Sequence, residues 1–162
     1  MADNYLKKAL RGAFQELNDY IGEHNARRFE EGGLRIEKQV LKIAGQTALF
    51  LADLPFPITA TTDLDIVVTL PYAVQVKLRE LLKKFGIVLD PDGRLVWMPP
   101  DTVYHPYFDS TWVQALYADP EAVMLSKYKF NRPDDRKLLQ TYAQYFPGFE
   151  TAVAKAGLKR SR

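Results

Sequence analysis

Two aspartates, Asp63 and Asp65, stand two residues apart at the head of an apolar, β-branched run, Thr61-Thr62-Asp63-Leu64-Asp65-Ile66-Val67-Val68. On a strand, positions i and i+2 face the same way, so both carboxylates project from one face, roughly 7 Å apart at the backbone. Paired hard oxygen donors at that spacing suit Mg²⁺ (or Mn²⁺), which keeps several waters and bridges to substrate phosphates. A half-buried strand with acids at its polar end has the same pattern, so the pair needs companions to mean more. Upstream, Gly45 divides a strand-like run, 39–44, from a helix-like run, 46–54. A strand, a glycine and a helix start leave the first helical N–H groups open to an anion, although an ordinary tight turn also uses glycine there. Downstream, Asp109 closes an alternating stretch with His105 and Tyr107 on the same face, and is the candidate third carboxylate.

The elements that must carry these residues follow from periodicity. Tyr5, Leu6, Ala9, Leu10, Ala13, Phe14, Leu17 and Ile21 recur at three- and four-residue steps, predicting a helix over 3–31 that Gly22 can interrupt and Gly32-Gly33 ends. The acid-bearing strand is predicted over 61–70. Pro71 then opens a helix with an apolar stripe from Val74 to Phe85, capped by Gly86. Ile87-Val88-Leu89 reads as a short strand and Asp90-Pro91-Asp92-Gly93 as a turn, followed by a strand over 94–98. Further strands are expected at 102–109 and 111–117, and helices at 121–130 and 134–146. Interleaved strands and helices followed by clustered strands predict an α+β fold (mixed α/β), a central mixed sheet flanked by helices. A single domain over 1–150 accounts for these elements, leaving 151–162 as a basic tail with Lys155, Lys159, Arg160 and Arg162.

Composition removes several classes of chemistry. There is no cysteine, so thiol catalysis and thiolate metal sites are excluded. A net charge of +2 is too small to imply nucleic-acid binding by itself. No apolar run approaches the ~20 residues of a membrane helix, and the first residues lack the apolar stretch of a signal peptide. The expectation is a cytoplasmic protein with no membrane partner.

Gly45-Gln46-Thr47-Ala48-Leu49, then Thr59-Ala60-Thr61-Thr62-Asp63-Leu64-Asp65, then the helix through Lys127 leading to Arg132-Pro133-Asp134-Asp135, stand in an order that resembles the polymerase-β-like nucleotidyltransferase superfamily. Within it, the chain is most similar to the AbiEii-type toxin group and its uncharacterised relatives, over about residues 38–142. The resemblance implies a nucleotidyltransferase-like fold and transfer of a nucleoside monophosphate from a nucleoside triphosphate. The acceptor would be a hydroxyl of RNA (transfer RNA in some relatives) or of protein. It implies Asp63 and Asp65 as metal ligands, Asp109 as a third catalytic acid, and Gly45, Gln46, Thr47, Lys127 and Arg132 as nucleotide-binding residues. It also implies a toxin role with an antitoxin partner. Gln46, Thr59, Asp134 and Leu138 depart from the group's pattern, where a small residue, an arginine, a lysine and an aspartate are usual. Those departures keep open a second reading: a nucleotidyltransferase fold that binds nucleotide, RNA or protein without chemistry. A glycosyltransferase using the same acid pair is a third.

Overall fold

The computed structural model describes residues 2–59 and 61–158. The fold is α+β, as expected: five strands form one mixed sheet and six α-helices flank it among these residues. The long first helix α1 (Ala2–Glu31) leads into β1 (Gln39–Ala44), α2 (Gly45–Leu51), β2 (Asp63–Ile66), α3 (Tyr72–Lys83) and β3 (Val88–Leu89). The chain continues through β4 (Tyr104–Asp109), β5 (Val113–Ala118), α4 (Pro120–Phe130), α5 (Arg136–Tyr145) and α6 (Phe149–Lys155). The strand order is β3-β2-β1-β5-β4. β1 runs parallel to β5 and antiparallel to β2, whereas β2 and β3 are parallel.

α1 spans about 45 Å at 1.5 Å per residue and buries the stripe Leu6, Leu10, Phe14, Leu17 and Ile21. These residues join Leu41, Ile43, Leu64, Val113 and Ala115 of the sheet, and Val74, Leu78 and Leu82 of α3, in one core. Gly22 does not interrupt the helix. A Cβ there would stand 3.3 Å from the indole of Trp112, so the glycine seats that ring against α1. Two buried asparagines fasten the helix to the loops below it. Asn18 accepts from the Trp112 N–H at 2.7 Å, and Asn25 both donates to the Ile36 carbonyl and accepts from its N–H. Replacing Asn25 by alanine strands both backbone groups of a half-buried residue. Urea unfolding is expected to show a loss of about 1–3 kcal/mol, whereas Gln15→Ala, on the exposed face, is expected to stay within about 0.5 kcal/mol.

Two expectations are corrected. No strand forms at 94–98; Gly93–Leu95 is a 3₁₀ turn and the following residues run as a strap without regular structure. The basic tail does not begin at 151, because α6 crosses that boundary and buries Phe149 and Val153 in the core. Lys155 is the last residue of that helix, while Lys159, Arg160 and Arg162 lie outside the described residues.

Candidate active site

The register settles which way the acids point. Ile43 pairs with Ile66 and Ala44 with Asp65, so Leu64 and Ile66 turn into the core while Asp63 and Asp65 share the opposite face. Asp63 is exposed and Asp65 half-buried. Thr47, buried in the first turn of α2, donates its hydroxyl to the Asp63 carbonyl at 2.9 Å and so ties α2 to β2. Gly45 adopts φ +65, and a Cβ there would collide with the Asp65 carboxylate. Both the backbone conformation and the proximity of Asp65 require glycine.

A third and a fourth acid arrive on the turn after β3. Asp63 pairs with Val88 and Leu64 with Leu89, and the Asp90 N–H continues the ladder to the Leu64 carbonyl at 3.0 Å. Asp90 caps its own turn, accepting from the Asp92 N–H at 2.8 Å. Gly93 then lets the turn lie directly on β2, since a Cβ would sit 2.7 Å from the Ile66 nitrogen. Burial first, then a proton shared with the neighbouring Asp90 carboxyl, and the charges of Asp90 and Asp63, push the Asp65 carboxyl up to about 6, against a smaller lowering by Lys127.

Asp63, Asp65, Asp90 and Asp92 share a cavity of about 470 Å³ with Gly45, Gln46, Ser126, Lys127, Arg132 and Asp135. Lys127 reaches in from α4 and is held by Asp135 at 3.0 Å, each side chain being only 16% exposed. Gln46 donates to the Thr59 carbonyl at 3.0 Å, bridging α2 to the segment that leads into β2.

Of the expected site residues, the structure gathers Gly45, Gln46, Asp63, Asp65, Lys127 and Arg132 around one cavity, with Thr47 buried just behind it. Asp109 is not among them. It lies on β4, three strands from β2, and pairs through Gln114 with the Val40 end of β1 rather than the Ala44 end. That separation is about 14 Å across the sheet and about 13 Å along it. Asp109 is instead ion-paired with Lys38 at 2.8 Å. His105 is also elsewhere, 2.9 Å from Asp119 in a separate cavity beside α4. The acid that sequence reasoning missed is Asp90; its signal was its place directly after the apolar run Ile87-Val88-Leu89.

Among the described residues, no group of three or more His, Cys, Asp and Glu is gathered tightly enough to cage a metal ion by itself. Mg²⁺ does not ask for one, because it is commonly held by one or two carboxylates, waters and substrate phosphates. The Asp63 and Asp65 carboxylates, on one face of β2 and in the same cavity, fit that requirement. No helix among these residues is long and apolar enough to cross a membrane. The chain matches no family model, no curated protein and no solved structure.

Proposed function

We propose that this protein is a Mg²⁺-dependent nucleotidyltransferase, moving a nucleoside monophosphate from a nucleoside triphosphate to a hydroxyl of RNA or protein. One observation carries the reading: aspartates from β2 and the turn after β3 line one cavity together with Lys127 and Arg132. Such a cavity suits a polyphosphate, whose charge is divided between a metal held by the acids and the basic side chains. Asp63 and Asp65 would hold Mg²⁺ (or Mn²⁺), which when bound would supply Lewis-acid polarisation of the phosphate oxygens. Lys127 is held over the cavity by Asp135 and needs no large movement to meet a phosphate oxygen. In the reaction the acceptor oxygen bonds to the α-phosphorus, the bond to the bridging oxygen breaks, and pyrophosphate leaves with that electron pair. The hydroxyl proton passes to a carboxylate of the cluster, the role here given to Asp90.

The test is incubation with each of four α-labelled nucleoside triphosphates, Mg²⁺ and total RNA. Label is expected on RNA or on the protein with at least one nucleotide, and none with Asp63→Ala. If no nucleotide labels either acceptor and none binds in a metal-dependent way, the reading fails. The second reading, binding without transfer, is favoured by Gln46, whose side chain spans the turn to Thr59 where a phosphate would otherwise approach the backbone. Nucleotide binding with no transfer and no dependence on Mg²⁺ or Mn²⁺ is its expected signature, and Gln46→Gly, which opens the turn, is expected to tighten it.

A further inference from the structure

Four apolar side chains, Leu95, Val96, Val123 and Phe130, line the same cavity beside its charged groups, and the phosphate chemistry does not use them. Val123 is buried and forms part of the floor, whereas Leu95 is 68% and Phe130 45% exposed. A single exposed apolar side chain is ordinary on a protein surface. Here two of them, from separate segments, border one concave site that also holds five carboxylates, a lysine and an arginine. Small-molecule sites commonly combine apolar walls with a few convergent polar groups.

Both side chains are held in place. Phe130 is the last residue of α4, and Asn131 turns the chain away from it in the left-handed conformation, φ 48. Leu95 ends the 3₁₀ turn on β2, and two residues later Trp97 packs against Lys129 of α4, whose Nζ lies 4.1 Å from the ring centroid. The strap that carries Leu95 is thereby fastened to the helix that carries Phe130. The Arg132 guanidinium stands 5.9 Å from the Phe130 ring centroid, so a cation borders that ring.

We propose that Leu95, Val96 and Phe130 seat the nucleobase of the nucleoside triphosphate, and that they choose it by stacking area rather than by reading its edge. The proposal rests on the nucleotide reading above. A flat apolar ring joined to a polyanion matches a cavity that carries apolar side chains beside ionic ones. The four apolar side chains offer no donor or acceptor to a base edge, so adenine and guanine bind alike. Purines, with more surface to stack, bind more tightly than pyrimidines. A free polyphosphate gains nothing from these side chains.

The test is isothermal titration of the intact protein in Mg²⁺ with ATP, GTP, CTP, UTP and inorganic tripolyphosphate. ATP and GTP are expected within ~3-fold of each other and at least ~10-fold tighter than tripolyphosphate, the increment of one stacked base. Phe130→Ala is expected to remove that increment and leave tripolyphosphate unchanged, and Phe130→Tyr to retain it. Leu95→Ala, at a side chain too exposed to matter for folding, is expected to weaken ATP alone by a few-fold. If tripolyphosphate binds as tightly as ATP, or Phe130→Ala weakens both equally, the base seat is overturned while the polyphosphate site stands. If neither ATP nor tripolyphosphate binds, the nucleotide reading fails and the base seat with it.

Discussion

Asp65→Asn is expected to make the protein more stable at pH 8 and to reduce nucleotidyl transfer by about 10³-fold or more. The two effects share one cause. Burial, Asp90 and Asp63 raise the Asp65 carboxyl from 3.8 to about 6, so the folded protein prefers it protonated. A carboxyl raised on folding contributes its stability fully below the unfolded value, and the contribution is lost as pH climbs through about 6. Above that pH the native state carries a charge that its surroundings disfavour, and the neutral amide relieves it. A rise of that size corresponds to about 3 kcal/mol, which partial solvent access reduces to about 1–2 kcal/mol, or on the order of 5 °C in Tm. Calorimetry at pH 8 and pH 4 checks the sign: the variant should melt higher at pH 8 and level with the parent at pH 4. An equal shift at both values would show that the carboxyl is not held as described. If Asp65 holds Mg²⁺ as proposed, the same preference is expected to weaken that binding below pH 6, because a cation must displace the proton that Asp65 retains there.

Gly93→Ala is the second large effect. Its Cβ would stand 2.7 Å from the Ile66 nitrogen, 3.0 Å from the Ile66 carbonyl oxygen and 3.2 Å from the Asp65 Cα. All three are backbone atoms of a strand inside the sheet, so they cannot swing aside as a side chain would. The turn must lift, carrying Asp90 and Asp92 away from Asp65. Overpacking of this kind is expected to cost about 2–4 kcal/mol and about 5–15 °C in Tm, with transfer falling as the acid cluster separates. Gly148→Ala is the control. No atom lies within 4 Å of a Cβ there and the backbone is right-handed, φ −70, so its Tm should move by no more than about 2 °C. Equal losses in the two variants would contradict the close seating of the turn on β2.

What the sequence disclosed about this site was local. Alternation placed Asp63 and Asp65 on one face, and their apolar partners Leu64 and Ile66 are indeed buried behind them. Gly45 was legible as a turn glycine, but its positive φ serves the approach of Asp65, a residue twenty positions away whose nearness only the β1–β2 register creates. Asp90 was hidden for the same reason. Asp-Pro-Asp-Gly announces a turn, and nothing in four residues says that the turn folds onto β2. Asp109 had the right chemical type on a real strand, yet strand order is a long-range property, and β4 closes the sheet at the opposite edge. The apolar run at 95–98 misled because Gly93 lies on the β2 backbone, from which the chain leaves as a strap rather than as another strand. Helix α6 was missed because Pro147-Gly148 reads as a stop and only seven residues follow before the helix ends.

The strand order also makes the two sides of the acid cluster mechanically unequal. β2 lies between β1 and β3, and β1 is itself flanked by β5, so the backbone of Asp65 is held near the middle of the sheet. Asp90 follows β3, a strand of two residues at the edge. Edge segments with few ladder bonds open at far lower free energy than central ones. Amide hydrogens of Val88 and Asp90 should therefore exchange with solvent orders of magnitude faster than those of β1 and β5. The cavity thus has one fixed jaw and one that breathes, and the residue that breathes is the acid assigned to take the acceptor's proton.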